Sequence, residues 1–296
     1  MIIYPPNLLL MSLRLRTTTA LVFGVVMIVG TLAHPVSAAL LYLLVGFLCI
    51  RELGQLLLQQ DSPQKIYNQL RRALFMLLSI LPTLLLIDGY LSPFPLVLNG
   101  LGHWFLPLYS LPFLLELAAS SKNPFQNIAY SYLGLFYIGL PTFLLCFLSL
   151  QDPSGRFLIM AIMLLVWAND VFAYFTGRKL GKRRISPILS PNKTLEGLIG
   201  GFTAALLWGF ASYFVWSILD FSLTTWLILA AEASIFAFWG DLIASMLKRS
   251  LNIKDTGTTL PGHGGLIDRF DAFLFVFPLI TFTIIFILKI ARFIPF

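Results

Sequence analysis

Between Asp241 and Asp271 the chain sets four carboxylates, four basic side chains and a histidine around a Gly262-His263-Gly264-Gly265 turn. Asp241 sits in the apolar run Trp239-Gly240-Asp241, where an acid is costly and therefore reads as functional. On a helix, Asp241, Ser245 and Lys248 fall at i, i+4 and i+7 and share a face, with Arg249 adjacent. An acid for a metal, a hydroxyl and a cation for phosphate would then converge. Asp268 and Asp271 open the next apolar run. Hard carboxylate oxygens suit Mg2+, which takes one or two of them and completes its shell with phosphate oxygens and water. Asp241 and Asp268 can supply those two from separate helices, with Asp271 beside them. The glycines of the turn, Gly264 and Gly265 among them, let backbone N–H groups approach an anion closely. With His263 in the turn and Lys254 and Arg269 on either side, at a helix start, this stretch reads as a phosphate cradle.

A second constellation stands one loop earlier. Ser190-Pro191 predicts a helix beginning there, with Ser190 at the N-cap and Pro191 at the first helical position. Asn192 and Lys193 would then lie beside exposed N–H groups, again suited to phosphate. Arg178, Lys179, Lys182, Arg183 and Arg184 flank this segment and can attract anionic headgroups or simply anchor the topology. Upstream, Trp167, Asp170 and Tyr174 share a helical face, and Asp170 is a candidate metal-, base- or ligand-binding group. Each acid also has a plain reading: Asp241 paired with Lys248 or Arg249, Asp170 paired with Arg178, Asp268 a helix cap. Four acids, a surrounding ring of cations and two cradles point to Mg2+-assisted phosphoryl or nucleotidyl transfer.

These residues need a scaffold, and composition says of what kind. The chain has 296 residues, 58% of them hydrophobic and only 11% charged, too little polar surface for a soluble protein. Apolar runs of about 20 residues recur, enough to cross a hydrocarbon core of about 30 Å as helices. The pattern predicts an all-α integral membrane protein, a polytopic bundle of about nine transmembrane helices near 17–33, 36–58, 73–91, 102–120, 127–149, 156–177, 195–217, 223–247 and 270–291. Of the 20 Lys and Arg residues, 17 fall on one side of such a bundle. Arg156, Lys289 and Arg292 fall on the other. The positive-inside rule then makes the N-terminus and the charged loops cytoplasmic. It also accounts for the net charge of +7 without a nucleic-acid partner. Arg14 and Arg16 before an apolar run ending at Val36-Ser37-Ala38 resemble a signal peptide. The favoured expectation is an uncleaved first helix, turning through His34-Pro35 into the second.

Polar chemistry is concentrated after residue 165. Residues 1–150 therefore read as a transmembrane scaffold, with Glu116 its one carboxylate well inside an apolar stretch. Residues 151–296 read as the catalytic core. Glu232 lies off the Asp241 face and is expected against another helix. Cys49 and Cys146 read as small buried hydrophobes. His34 and His103 are assigned no role. No internal repeat is evident, which disfavours an inverted-repeat transporter.

The run Ser245, Leu247, Lys248, Arg249, Lys254, Asp255, Gly257, Leu260, Pro261, His263, Gly264, Gly265, Leu266, Asp268, Arg269, Phe270, Asp271 closely resembles the signature of the phosphatidate cytidylyltransferases, the CDP-diacylglycerol synthases. Trp167-x2-Asp170-x2-Ala173-Tyr174 and Ser190-Pro191-x-Lys193-Thr194-x-Glu196-Gly197 resemble further blocks of that family, although Leu195 stands where members often carry Trp. The resemblance is strong from about 165 to 275 and general before that. It implies a reaction of CTP with phosphatidate to CDP-diacylglycerol and pyrophosphate, in phospholipid biosynthesis at the cytoplasmic face of a bacterial inner membrane. It implies Asp241 and Asp268 as metal ligands with Asp271 beside them, Mg2+ with the option of a monovalent cation such as K+, membrane lipids around the bundle, and a homodimer. Two other readings stay open. One is a related enzyme with another acceptor, a CTP-dependent polyprenol kinase or an archaeal-type lipid cytidylyltransferase. The other is an anion transporter whose acids bind coupling ions.

Overall fold

The computed structural model describes residues 6–58, 64–91, 105–151, 154–260 and 264–293. His103 and His263 lie outside the described residues. Among the described residues nine helices follow in chain order: α1 (Pro6–Ala33), α2 (Pro35–Leu57), α3 (Lys65–Leu91), α4 (Phe105–Ala119), α5 (Pro124–Leu150), α6 (Ser154–Leu180), α7 (Leu195–Val215), α8 (Leu223–Ser250) and α9 (Ile267–Phe293). Seven of them are long and apolar enough to cross a membrane, and the apolar stretches Thr17–Ala33 and Pro107–Ala119 are shorter. Each expected span has its helix. A backbone in hydrocarbon must satisfy its own polar groups, and helices do so locally. The chain is an all-α polytopic membrane protein.

The turn between α1 and α2 is as tight as His34-Pro35 suggested. His34, which received no role from the sequence, caps α2: its Nδ1 accepts from Val36 N at 3.2 Å, and its own N–H donates to Ser37 Oγ at 3.1 Å. Helix α5 carries one π-helical turn, Leu135–Gly139, where it crosses α3. Helices α6 to α9 pack in sequence, α2 packs on α3 and α5, and α1 rests on α2 and α6. The shared interior is apolar, from Ile50 and Leu53 of α2 through Ile159 and Ile162 of α6 to Phe277 of α9. Cys49 and Cys146 are buried free thiols, as expected. The outward faces stay apolar too, with Leu117, Leu207 and Phe282 at 68–85% exposure, which only lipid makes inexpensive.

The N-terminal half is not featureless inside. Arg71 of α3 and Glu116 of α4 form an ion pair with side chains only 2% and 3% exposed. Asn68, Ser121 and Asn127 complete its hydrogen bonds. Glu232 meets another helix, as expected, accepting from Thr283 Oγ1 of α9 at 2.9 Å.

Candidate active site

The start of α7 corrects the expectation for Ser190-Pro191. Ser190 to Thr194 form strand β2, paired antiparallel with β1 (Arg184–Ser186). The helix begins four residues later, capped by Thr194, whose Oγ1 accepts from Gly197 N at 3.2 Å. Thr is also a preferred cap, though a weaker one than Ser, and the hairpin pairing takes the preceding backbone into a ladder. The hairpin is held at its base by Glu196, whose Oε2 accepts from the amides of Lys182 and Arg183 at 2.9 and 3.2 Å. The consequence for the site is direct. Lys193, carried on an extended strand rather than a first helical turn, reaches across to α8. Its Nζ donates to Asp241 Oδ2 at 2.7 Å and lies 5.1 Å from the Phe238 ring centre.

The ends of α6, α8 and α9 and the strand β2 surround one cavity of about 1100 Å3. Its wall carries all four candidate acids, Asp170, Asp241, Asp268 and Asp271. It also carries Ser190, Asn192, Lys193, Ser245 and Arg269, together with Arg178 and Arg184. Close helix packing at Gly240 brings two of the acids together: a Cβ there would stand 3.0 Å from Ala272 Cα and 3.2 Å from Asp271 O. Asp241 and Asp271 therefore flank a close approach of α8 to α9. Asp241 is within electrostatic reach of both Asp170 and Asp271.

The ion pairing differs from each plain alternative. Asp241 pairs with Lys193, and Lys248 pairs with Asp268, Nζ to Oδ1 at 2.7 Å with side chains 15% and 6% exposed. Arg178 donates to Tyr174 Oη at 3.0 Å. Asp268 does more than cap its helix. Its Oδ2 accepts from Thr256 N at 2.8 Å, Thr256 Oγ1 at 3.1 Å and Gly265 N at 3.1 Å, so it gathers the preceding loop around itself. Gly264, at φ +84°, makes the turn that points the Gly265 amide inward. Gly264 and Gly265 thus stand behind Asp268 rather than on the cavity wall. Arg249, whose guanidinium donates to Ile253 O, and Lys254 are exposed and off that wall.

The donor set suits a divalent cation. Asp170 accepts from Asn169 Nδ2 at 3.1 Å and Asp271 from Ala272 N at 2.9 Å, while the Lys partners engage the other two acids. Carboxylate oxygens at this cavity thus outnumber the ammonium groups bonded to them. Among the described residues no three His, Cys, Asp or Glu side chains converge into a ready metal cage.

Sequence reasoning missed two contributors. Thr19, Ala20, Phe23 and Gly24 of α1 close one side of the cavity. Glu52 of α2, buried at 4% exposure, sends its carboxylate into the loop before α9. A charged residue inside an apolar helix was the available signal for Glu52, but its neighbour Arg51 makes the pair look like an ordinary helix end.

The cytidylyltransferase family model matches residues 14–287. A phosphatidate cytidylyltransferase of Staphylococcus haemolyticus (strain JCSC1435) is 40% identical over 176 residues, covering 58% of this chain and 65% of the relative. That of Staphylococcus aureus (strain COL) is 38% identical over 177 residues, with the same coverage. That of Bacillus subtilis (strain 168) is 36% identical over 186 residues, 62% of this chain and 69% of the relative. The match thus spans just under two thirds of the length of the first two. With the family model covering nearly the whole chain, and the acids of its shared cavity set on the ends of helices that the model includes, this protein belongs to the cytidylyltransferase family.

Proposed function

We propose that this protein is a phosphatidate cytidylyltransferase. A phosphate oxygen of phosphatidate attacks the α-phosphorus of CTP. The bond from that phosphorus to the bridging oxygen breaks, and pyrophosphate leaves as CDP-diacylglycerol forms. The observation that carries this reading is one cavity, at helix ends and a hairpin of a membrane bundle, that is lined by four carboxylates and four cations. The relatives' shared name supports the choice of substrates.

The nucleophile is already an anion and needs no general base. The work left to the protein is charge balance and alignment. Asp241, Asp268 and Asp271 are assigned to hold Mg2+, which when bound neutralises phosphate oxygens; a monovalent cation such as K+ is assigned to the same acidic group. Lys193, Arg178, Arg184 and Arg269 face the cavity and are placed to bind triphosphate and headgroup oxygens. Ser190, Asn192 and Ser245 offer neutral hydrogen bonds on the same wall. Lys248 holds Asp268 in place, Lys254 and Arg249 belong to the surrounding charged face, and His263 is assigned to substrate binding from its position in the motif. We assign the charged loops to the cytoplasm, where CTP is available, and the protein to a bacterial inner membrane as a homodimer. Residues 1–150 serve as scaffold and 151–296 as catalytic core.

The test is direct. Purified protein, Mg2+, radiolabelled CTP and phosphatidate should yield CDP-diacylglycerol and pyrophosphate, and chelation should stop it. Release of CDP with a phosphorylated acceptor would instead indicate a kinase. Uptake into proteoliposomes without nucleotide turnover would indicate a transporter.

A further inference from the structure

Glu52 poses a physical problem that its surroundings solve. A carboxylate at 4% exposure in a membrane helix carries a heavy desolvation cost unless hydrogen bonds replace water. Its replacements come from a segment more than 200 residues away. Oε1 accepts from Thr259 Oγ1 at 2.6 Å and Leu266 N at 3.1 Å, and Oε2 accepts from Ile267 N at 2.9 Å. Ile267 opens α9, so two of these donors are amides at the start of a helix, where no earlier carbonyl is available to them. Glu52 thus caps α9 in trans, and its charge favours the positive end of that helix.

A fourth contact ties this cap to Asp268. Thr256 Oγ1 lies 3.2 Å from Glu52 Oε2 and 3.1 Å from Asp268 Oδ2. The hydroxyl has one proton, so it can serve only one carboxylate at a time. Thr256 therefore stands between two acids as a shared donor, while its amide stays bonded to Asp268 at 2.8 Å. The loop packs on Glu52 without slack: a Cβ at Gly265 would lie 2.8 Å from Glu52 Oε2.

We infer that Glu52 is a positioning residue for the α9 carboxylates. From α2 it fastens the start of α9 and the loop before it, and so sets where Asp268 and Asp271 stand relative to Asp241. The effect on turnover rests on the function proposed above; the effect on the loop does not.

The experiment compares Glu52→Gln with the native full-length protein in nanodiscs. The amide keeps the shape but turns an NH2 toward donors. Turnover should fall about 10- to 100-fold, as for other groups that orient a site from behind. KM for phosphatidate should stay within about twofold. Hydrogen exchange should accelerate about tenfold or more in residues 256–267, while α2 and α6 keep their protection. Thr259→Val, which removes one donor and keeps the carboxylate, should give a smaller change in the same two readouts, and Glu52→Asp should recover part of the loss. Native exchange in 256–267, or turnover within twofold, in Glu52→Gln would overturn the inference. If Glu52→Gln does not fold, native values of both readouts in Thr259→Val and Glu52→Asp overturn it. If the native protein makes no CDP-diacylglycerol, the functional reading fails, and the exchange comparison still decides the role of Glu52.

Discussion

Gly265→Ala tests whether the loop behind Asp268 is a rigid support. No positive φ demands glycine at this position, so the effect of a methyl group is steric. The added Cβ would press on the Thr256 hydroxyl, 2.7 Å from Gly257 N and 2.8 Å from Glu52 Oε2. Two of those three are backbone or a clamped carboxylate, so they cannot swing aside. Reaching the 3.4 Å of ordinary contact requires a shift of about 0.7 Å from 2.7 Å. The Gly265 N to Asp268 Oδ2 bond, at 3.1 Å, would be stretched out of hydrogen-bond range by a shift of that size. Overpacking of this kind costs about 1–3 kcal/mol. If the cost falls on the geometry of Asp268, turnover drops about 5- to 150-fold. The assay is CDP-diacylglycerol formation in nanodiscs, with helix content checked by circular dichroism. Turnover within twofold of native, in a folded variant, would show that the loop yields freely and that Asp268 is not held by it.

Asp241→Ala and Asp268→Ala should each abolish turnover, by about a hundredfold or more, in protein that still folds; near-normal activity in either would refute its metal role. Lys193→Met removes a cation assigned to the triphosphate; one charge-assisted contact from a side chain 23% exposed is worth about 1–1.5 kcal/mol, so KM for CTP should rise about 5- to 13-fold. An unchanged KM would remove Lys193 from the nucleotide site. Glu116→Ala leaves the Arg71 guanidinium buried at 2% exposure without its carboxylate and should cost about 3–5 kcal/mol in denaturation measurements. The double change Arg71→Met with Glu116→Leu should recover most of that loss, and a single-variant loss below about 1 kcal/mol would show that water reaches the pair.

Much of the fold was legible because lipid imposes one rule along the whole chain. Every long apolar run became a helix, and His34-Pro35 and Asn123-Pro124 became helix boundaries. The acids were legible because charge at the edge of an apolar helix has few innocent explanations. Ser190-Pro191 misled because a local helix-start signature cannot reveal that Arg184 to Ser186 lies alongside to pair with it. Spans 1–5 looked inert because hydropathy reports the average of a helix, and one inward Glu52 or Arg71 scarcely changes it.

The membrane, the order of helices and the set of charged residues available for chemistry were readable along the chain, since these depend on composition and near neighbours. Tertiary structure decided which residues meet. Asp241 lies seven residues from Lys248 yet pairs with Lys193, 48 residues back, and Lys248 turns to Asp268. Glu52 closes on amides 214 and 215 residues away. Such pairings follow from how the helices pack, as at Gly240, and packing depends on contacts between segments that no local pattern records.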